Sequence, residues 1–91
     1  MVYTDGIAQM AESKKCYWLL DIVASVAPKL DTADSFHVCT LHLDGKGGAV
    51  FEARPDTDKP PTYRQIIPHT DIDENVQMYF IDGVLLLPSE Y

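Results

Sequence analysis

The amino-acid sequence predicts an α+β fold, with two N-terminal helices packed on one face of an antiparallel sheet of about four strands. Apolar residues recur at helical spacing in the first third of the chain and alternate with polar residues from about residue 35 onward. Because the helical segments precede the strands, the sheet is expected to be antiparallel. A chain of 91 residues is long enough for one domain and too short for two, so residues 1–91 are expected to form a single domain.

The first helix is expected over about residues 5–13. Thr4 or Asp5 can cap it, because a short polar side chain at a helix N-terminus accepts a hydrogen bond from a free backbone N–H. Ile7 and Met10 then fall at helical spacing. The residues that follow, Ser13-Lys14-Lys15, are expected to loosen the helix before the second one begins.

The second helix is expected over about residues 15–27. Its apolar residues have i, i+3, i+4 and i+7 spacing, and this inner stripe consists of Cys16, Leu19, Leu20, Val23, Val26 and Ala27. Pro28 is expected to end the helix, because proline lacks a backbone donor and the residue before it avoids the α region.

Four strands are expected after the apolar period changes to two. They are Ser35 to Leu43, Ala49 to Arg54, Thr62 to Ile67 and Val76 to Ile81. The glycine-rich segment 44–48 tolerates positive φ and favours a hairpin turn between the first two strands, whereas the prolines of residues 55–61 indicate an exposed loop. The apolar residues 84–87 are expected to form a buried or strand-like tail.

The composition narrows the classes of partner. The chain has 14 acidic and 7 basic residues, a formal net charge of −7 and a sequence pI of about 4.6. This balance argues against direct binding to nucleic acid or to an anionic membrane, and it suits either solubility or a basic partner. The longest apolar run is too short to span a bilayer, and the sequence shows no signal peptide, so a cytoplasmic location is expected.

Residues that could carry catalysis or hold a metal lack the spacing that these functions need. His37, His69 and Cys39 do not form the close ligand pairs typical of zinc sites, so no metal and no cofactor is expected. Cys16 and Cys39 lie on apolar stripes, where a thiol behaves as a small hydrophobic group. The sequence has no nucleophile elbow and no phosphate-binding glycine loop that opens a helix, so the protein is expected not to be an enzyme.

Two groups of residues are candidates for binding a partner. They are the mixed helix face of Tyr17, Trp18 and Asp21 and the acidic group of Asp71, Asp73 and Glu74. An exposed tryptophan beside an acid is typical of interface hot spots, but Trp18 can equally be a core residue between the first helix and the sheet. The acidic group can equally be an ordinary solvated turn.

Three motifs carry a resemblance to a known family. They are Tyr3-Thr4-Asp5-Gly6, Tyr17-Trp18-Leu19-Leu20-Asp21 and the C-terminal Gly83-Val84-Leu85-Leu86-Leu87-Pro88-Ser89-Glu90-Tyr91. Together they resemble a family of small bacterial and phage-borne proteins of unknown function, whose pattern also includes a Thr-Asp element matched by Thr70-Asp71. The resemblance covers almost the whole chain and implies an α+β domain with no assigned reaction or cofactor. The sequence departs from the family pattern at Cys39 and His69. Similar proteins also often carry an additional N-terminal segment.

The apolar tail leads to one hypothesis about packing. The rest of the sequence leads to three hypotheses about function. The tail is expected to dock on the domain, with Tyr91 near Trp18 or Tyr3. The preferred function is a small non-enzymatic protein-interaction or regulatory module. The alternatives are an acidic inhibitor of a nucleic-acid-handling defence system, of the anti-restriction or anti-CRISPR type, and a small metabolite-binding protein or enzyme. A homodimer is also expected to be accessible, through an uncovered sheet face at Phe36 and Val38 or on the side of Tyr63 and Ile67.

Overall fold

The computed structural model describes residues 2–33, 36–55 and 58–91, and in residues 31–33 it describes the backbone alone. The elements in chain order are β1 (Val2–Tyr3), α1 (Asp5–Lys14), α2 (Tyr17–Ala33), β2 (Phe36–Leu43), β3 (Ala49–Arg54), β4 (Tyr63–Ile67), β5 (Val76–Ile81), β6 (Val84–Leu86) and a 3-10 turn (Pro88–Glu90). Ser35, at the start of the first expected strand, and part of the expected 55–61 loop lie outside the described residues.

The described strands form one sheet with six strands in the order β1-β6-β5-β2-β3-β4. All neighbouring pairs are antiparallel except β1 and β6, which are parallel. The mixed α+β class is confirmed, but the expectation of about four strands is wrong. The strand β1 has two residues and β6 has three, so neither is long enough to show an alternating pattern.

One core joins both helices to alternate residues of the strands. Alternation along the expected strands predicts an inner face made of Cys39, Leu41 and Leu43 in β2 and of Ala49, Phe51 and Ala53 in β3. These residues are buried, except that Leu43 is partly buried, and the predicted stripe of α2 is buried as well. The core also contains Ile67, which is 8% exposed, and Tyr63 packs against it. The expectation that the Tyr63 and Ile67 side leaves apolar area uncovered is therefore wrong.

Pro28 does not end α2, which continues to Ala33. The extension buries Leu30 completely, which contributes about 1.5–3 kcal/mol and is similar in size to the cost of about 3 kcal/mol for proline inside a helix. Pro28 leaves the carbonyl of Ala24 without its helical donor, but both residues are exposed, so water can serve as that donor. The sequence rule fails here because packing of the next turn offsets the lost hydrogen bond.

The two ends of the chain are held together by a group that we call the terminal clasp, consisting of Thr4, Gly6, Leu87 and Glu90. Thr4 caps α1, because its Oγ1 accepts a hydrogen bond from the N–H of Ile7 at 3.3 Å. The same hydroxyl donates to Glu90 Oε1 at 2.6 Å, and the N–H of Leu87 donates to that oxygen at 2.9 Å. Next to the clasp, β1 pairs with β6.

The tail docks on the sheet, as expected, but its aromatic contacts differ from those proposed. The ring of Tyr91 lies 5.4 Å from the ring of Tyr79 and 6.1 Å from that of Phe36, both in edge-on arrangements. Phe36 and Tyr79 lie on the outward side of their strands, so Tyr91 is placed there and not beside Trp18 or Tyr3.

We predict that Glu90→Gln lowers the melting temperature at pH 7 and that the difference from wild type disappears in acid. Hydrogen bonds from Thr4 and then from the Leu87 backbone hold the pKa of Glu90 below its usual value. A carboxyl with a lowered folded-state pKa stabilises the fold above its unfolded pKa of about 4.3, and that stability is lost as the pH falls through the folded pKa.

Thermal melts followed by circular dichroism between pH 7 and pH 3 would measure this effect. Glu12→Gln, an exposed glutamate on α1, is the matched control for the loss of one charge. A difference between Glu90→Gln and wild type that stays constant across this pH range would contradict the role of the ionised clasp.

Candidate functional site

A pocket lies where α1 ends, α2 begins and the loop before β5 crosses them. Its volume is about 550 Å³. The lining residues are Ser13, Lys14, Lys15, Trp18, Thr70, Asp71, Ile72, Asp73 and Glu74. We call this site the Trp18 pocket.

The end of α1 sets one wall of the Trp18 pocket. Lys15 adopts a left-handed conformation with φ of 54°, and the N–H of Cys16 donates to the carbonyl of Ala11 at 2.9 Å. This reversal lets α2 begin at Tyr17, so the last basic residues of α1 stand beside the first turn of α2. The expected loosening near residues 13–15 is thus a sharp cap rather than a frayed helix end.

The opposite wall is formed by the loop that carries Asp71, Asp73 and Glu74, which we call the acidic loop. It is anchored by Ile72, an apolar residue that the sequence interpretation missed. The N–H of Thr70 donates to the carbonyl of Gly47 at 2.8 Å, and the N–H of Ile72 donates to Thr70 Oγ1 at 3.2 Å. Ile72 is buried in the core at 8% exposure, whereas Asp71 and Asp73 on either side of it are exposed. A lone isoleucine between acids was the signal that this turn is fixed to the domain.

The structure divides the three candidate binding residues on α2 between two surfaces. Trp18 is half-buried, packs against the core and lines the pocket together with Asp71, Asp73 and Glu74. Tyr17 is 51% exposed and Asp21 is exposed, but neither lines the pocket. Tyr17 and Asp21 are four positions apart and share a helical stripe, whereas Trp18 is rotated by about 100° from Tyr17 and by about 60° from Asp21. Trp18 is therefore partly a core residue, and its role in binding stays a prediction.

Opposite charges meet in the Trp18 pocket. The ammonium group of Lys14 pairs with the carboxylate of Glu74, and this hydrogen bond, followed by the negative charges of Glu74 and Asp73, raises the pKa of Lys14. Because the carboxylate of Glu74 is largely exposed to water, the pair contributes little to stability. Asp71 has a weaker contact, with its Oδ1 atom 3.5 Å from His69 Nε2. The pocket thus presents three carboxylates and two ammonium groups around one indole ring.

The cysteine and histidine side chains do not form a reactive centre in the described part of the chain. Burial raises the pKa of Cys16, whose thiol donates to Met10 Sδ at 3.7 Å, and raises the pKa of Cys39 to about 12. Both therefore remain thiols near neutral pH, and the thiolate is the nucleophilic form. His37 is buried with its Nε2 atom 3.2 Å from Thr62 Oγ1. Over the described ranges, no three metal-ligating side chains come together.

A comparison with models of protein families identifies the family to which the chain belongs. The model of one family matches residues 1–91, the whole sequence. The chain belongs to DUF6876, a family of unknown function. This confirms the resemblance to a family of unknown function, while the bacterial or phage origin and the residue pattern of that family stay predictions. No curated protein and no solved structure matches the chain.

Neither helix, within the described residues, has the length and hydropathy required to cross a membrane. The cytoplasmic location stays a prediction.

We predict that caesium ions quench the fluorescence of Trp18 more strongly than iodide does. Trp18 is the one tryptophan in the sequence, and the three carboxylates of its pocket concentrate cations near the ring. The variant Asp71→Asn/Asp73→Asn should lose most of this preference. Stern–Volmer titrations at constant ionic strength measure it, with Asp21→Asn/Asp58→Asn as the control for net charge. Equal quenching of wild type by both ions would contradict the described pocket.

Proposed function

We propose that the protein is a non-enzymatic interaction module that binds a basic segment of a partner protein in the Trp18 pocket. The observation that carries this proposal is that Trp18 lines one pocket together with Asp71, Asp73 and Glu74. Trp18 is more than 50 positions away from these three residues in the sequence. Tryptophan is enriched among the residues that dominate binding energies, and carboxylates supply the charge that selects a basic partner.

A lysine or arginine side chain of the partner fits this chemistry. Its cationic head can stack on the indole face, an interaction of about 0.5–2 kcal/mol, while Asp71 or Asp73 accepts its hydrogen bonds. Arginine suits the site better, because its planar guanidinium group can stack on the ring and pair with a carboxylate at the same time. The net charge of −7 would also accelerate the encounter with a basic partner.

The lining of the pocket favours a protein segment over a small metabolite. Pockets for small molecules are mostly apolar with a few polar groups, whereas Trp18 and Ile72 are the apolar side chains among the nine residues that line this one. The pocket is also open to solvent on the side of Glu74, whose side chain is 63% exposed. The high pKa of the Cys16 and Cys39 thiols supports a role without covalent catalysis.

We predict that the tagged protein captures a basic partner from nuclease-treated host lysate and that Asp71→Asn/Asp73→Asn loses this partner. The captured proteins would be identified by mass spectrometry at low and at high salt. The control, Asp21→Asn/Asp58→Asn, removes the same number of charges outside the pocket and should retain the partner. Trp18→Ala should weaken capture at both salt concentrations, because stacking on the indole depends little on ionic strength.

The same experiment separates this proposal from the acidic-inhibitor alternative. An inhibitor that acts through its overall negative charge would capture a nuclease or helicase component, release it at high salt, and be weakened equally by both pairs of substitutions. Equal loss of the partner from the pocket variant and from the control would therefore overturn the Trp18 pocket as the binding site. Retention of the partner by both would overturn it as well.

A further inference from the structure

The Trp18 pocket holds cationic groups as well as carboxylates, and this combination bears on the chemistry of its ligand. Lys14 and Lys15 stand on the wall formed by the end of α1, and the three carboxylates stand on the acidic loop opposite. A pocket for a ligand that carries positive charge alone would gain nothing from two ammonium groups, because like charges repel. The ion pairs that form within the protein show which of these charges remain for a ligand.

One lysine and one carboxylate of the lining neutralise each other. The ammonium group of Lys14 contacts the carboxylate of Glu74, and this hydrogen bond is the largest cause of the raised pKa of Lys14. Asp71 has the weaker contact with His69, at 3.5 Å between Oδ1 and Nε2. A ligand therefore meets a pocket in which the Lys14 and Glu74 charges already balance.

Lys15 and Asp73 form no direct ion pair within the described part of the chain, and both are exposed. Asp73 acts on Lys14 through its charge, as a smaller cause of the raised pKa of that lysine, without forming an ion pair with it. The pocket therefore offers a ligand charges of both signs on opposite walls, beside the ring of Trp18. A ligand that carries both signs itself complements this arrangement best.

The position of Lys15 in the chain places its charge close to the indole ring. Lys15 is three positions before Trp18 and two before Tyr17, the first residue of α2. The first turn of α2 contains no acidic residue, so nothing there opposes the positive end of the helix dipole. An anionic group of the ligand held by Lys15 would thus lie near the ring on which a cationic group stacks.

We propose that the ligand of the Trp18 pocket carries a carboxylate next to its basic side chain, and that Lys15 binds this carboxylate while Trp18 and Asp73 bind the cation. This inference rests on the proposed function, because it specifies the basic segment that the pocket binds. A C-terminal arginine supplies both groups in one residue, and an arginine followed by a glutamate supplies them in two. Lysine binds a carboxylate as a point charge, so either source satisfies the chemistry.

Titration of the full chain with short arginine peptides, followed by the fluorescence of Trp18, tests the proposal. The first pair of probes is acetyl-Gly-Gly-Arg with a free C-terminus and its amide, and the second pair is the amides of acetyl-Gly-Gly-Arg-Glu and acetyl-Gly-Gly-Arg-Gln. In at least one pair, the peptide with the carboxylate should bind about three- to fivefold more tightly at low salt, as expected for one partly exposed ion pair. A preference in the first pair alone identifies a C-terminal carboxylate, and a preference in the second alone identifies an acidic side chain.

The overall charge of the protein makes this comparison stringent. The chain has a net charge of −7, so its long-range field favours the peptide without the carboxylate in both pairs. A preference for the carboxylate therefore requires a cationic group at the binding site itself.

Lys15→Gln should abolish this preference without weakening the binding of the peptides that lack the carboxylate. Lys59→Gln is the matched control, because it removes the same charge at an exposed lysine outside the pocket and should keep the preference. Circular dichroism melts show whether both variants fold, and the two peptide pairs on the wild type test the proposal without any variant.

The failure of this proposal can be distinguished from the failure of the proposed function. If the wild type binds the arginine peptides but shows no preference for the carboxylate in either pair, this proposal is overturned and the binding of a basic group stands. A preference that survives in Lys15→Gln would overturn the role of Lys15. If none of the four peptides binds at concentrations up to about 10 mM, the proposed function is overturned together with this proposal.

Discussion

The contact between the carboxylate of Glu90 and the N-terminus of α1 is the interaction on which the rest of the structure depends. Thr4 caps α1 and donates to Glu90, and β1 directly before it pairs with β6. The two ends of the sequence are therefore neighbours in the fold. Because the carboxylate lies at the positive end of the helix dipole, it also favours the helix itself. The first and last motifs of the sequence are thus one structural unit.

The terminal clasp determines where α1 points, and α1 in turn determines the Trp18 pocket. From Thr4 the helix runs to Lys14, where the left-handed Lys15 reverses the chain and positions Trp18. The opposite wall is set independently, by Ile72 in the core. A shift of α1 would therefore separate Lys14 from Glu74 while leaving the acidic loop in place. The clasp and the pocket thus lie at opposite ends of α1, which Ile7 and Ala11 also hold in the core.

Much of the fold followed from apolar periodicity, and the exceptions have physical causes. Cys39, Leu41 and Phe51 were placed correctly in the core, because alternation specifies the face of a long strand. The rule for Pro28 failed because burial of Leu30 offsets the missing donor. The strand β6 lies within residues 84–87, which were expected to be buried or strand-like, and it pairs with β5 across a two-residue turn. The strand β1 is stabilised by pairing with the distant β6, which local patterns do not reveal.

The candidate site was predicted only in part. Trp18 and the acidic group were chosen separately, and nothing in their spacing indicates that they share a pocket. Their meeting depends on two local features, the reversal at Lys15 and the anchoring of Ile72. Tyr17 and Asp21 were grouped with Trp18 because they are close in sequence, but helical geometry turns them away from the pocket.

The most direct test of the terminal clasp is a double-mutant cycle between Gly6 and Glu90, measured by urea denaturation. A Cβ atom at Gly6 would lie 2.8 Å from the Glu90 carboxyl group, so Gly6→Ala must displace that side chain and its hydrogen bonds. In a Glu90→Ala background the space is free, and alanine should stabilise α1 by up to about 0.5–1 kcal/mol relative to glycine. The account predicts that Gly6→Ala destabilises the wild type and stabilises Glu90→Ala. Stabilisation of the same size in both backgrounds would contradict the clasp.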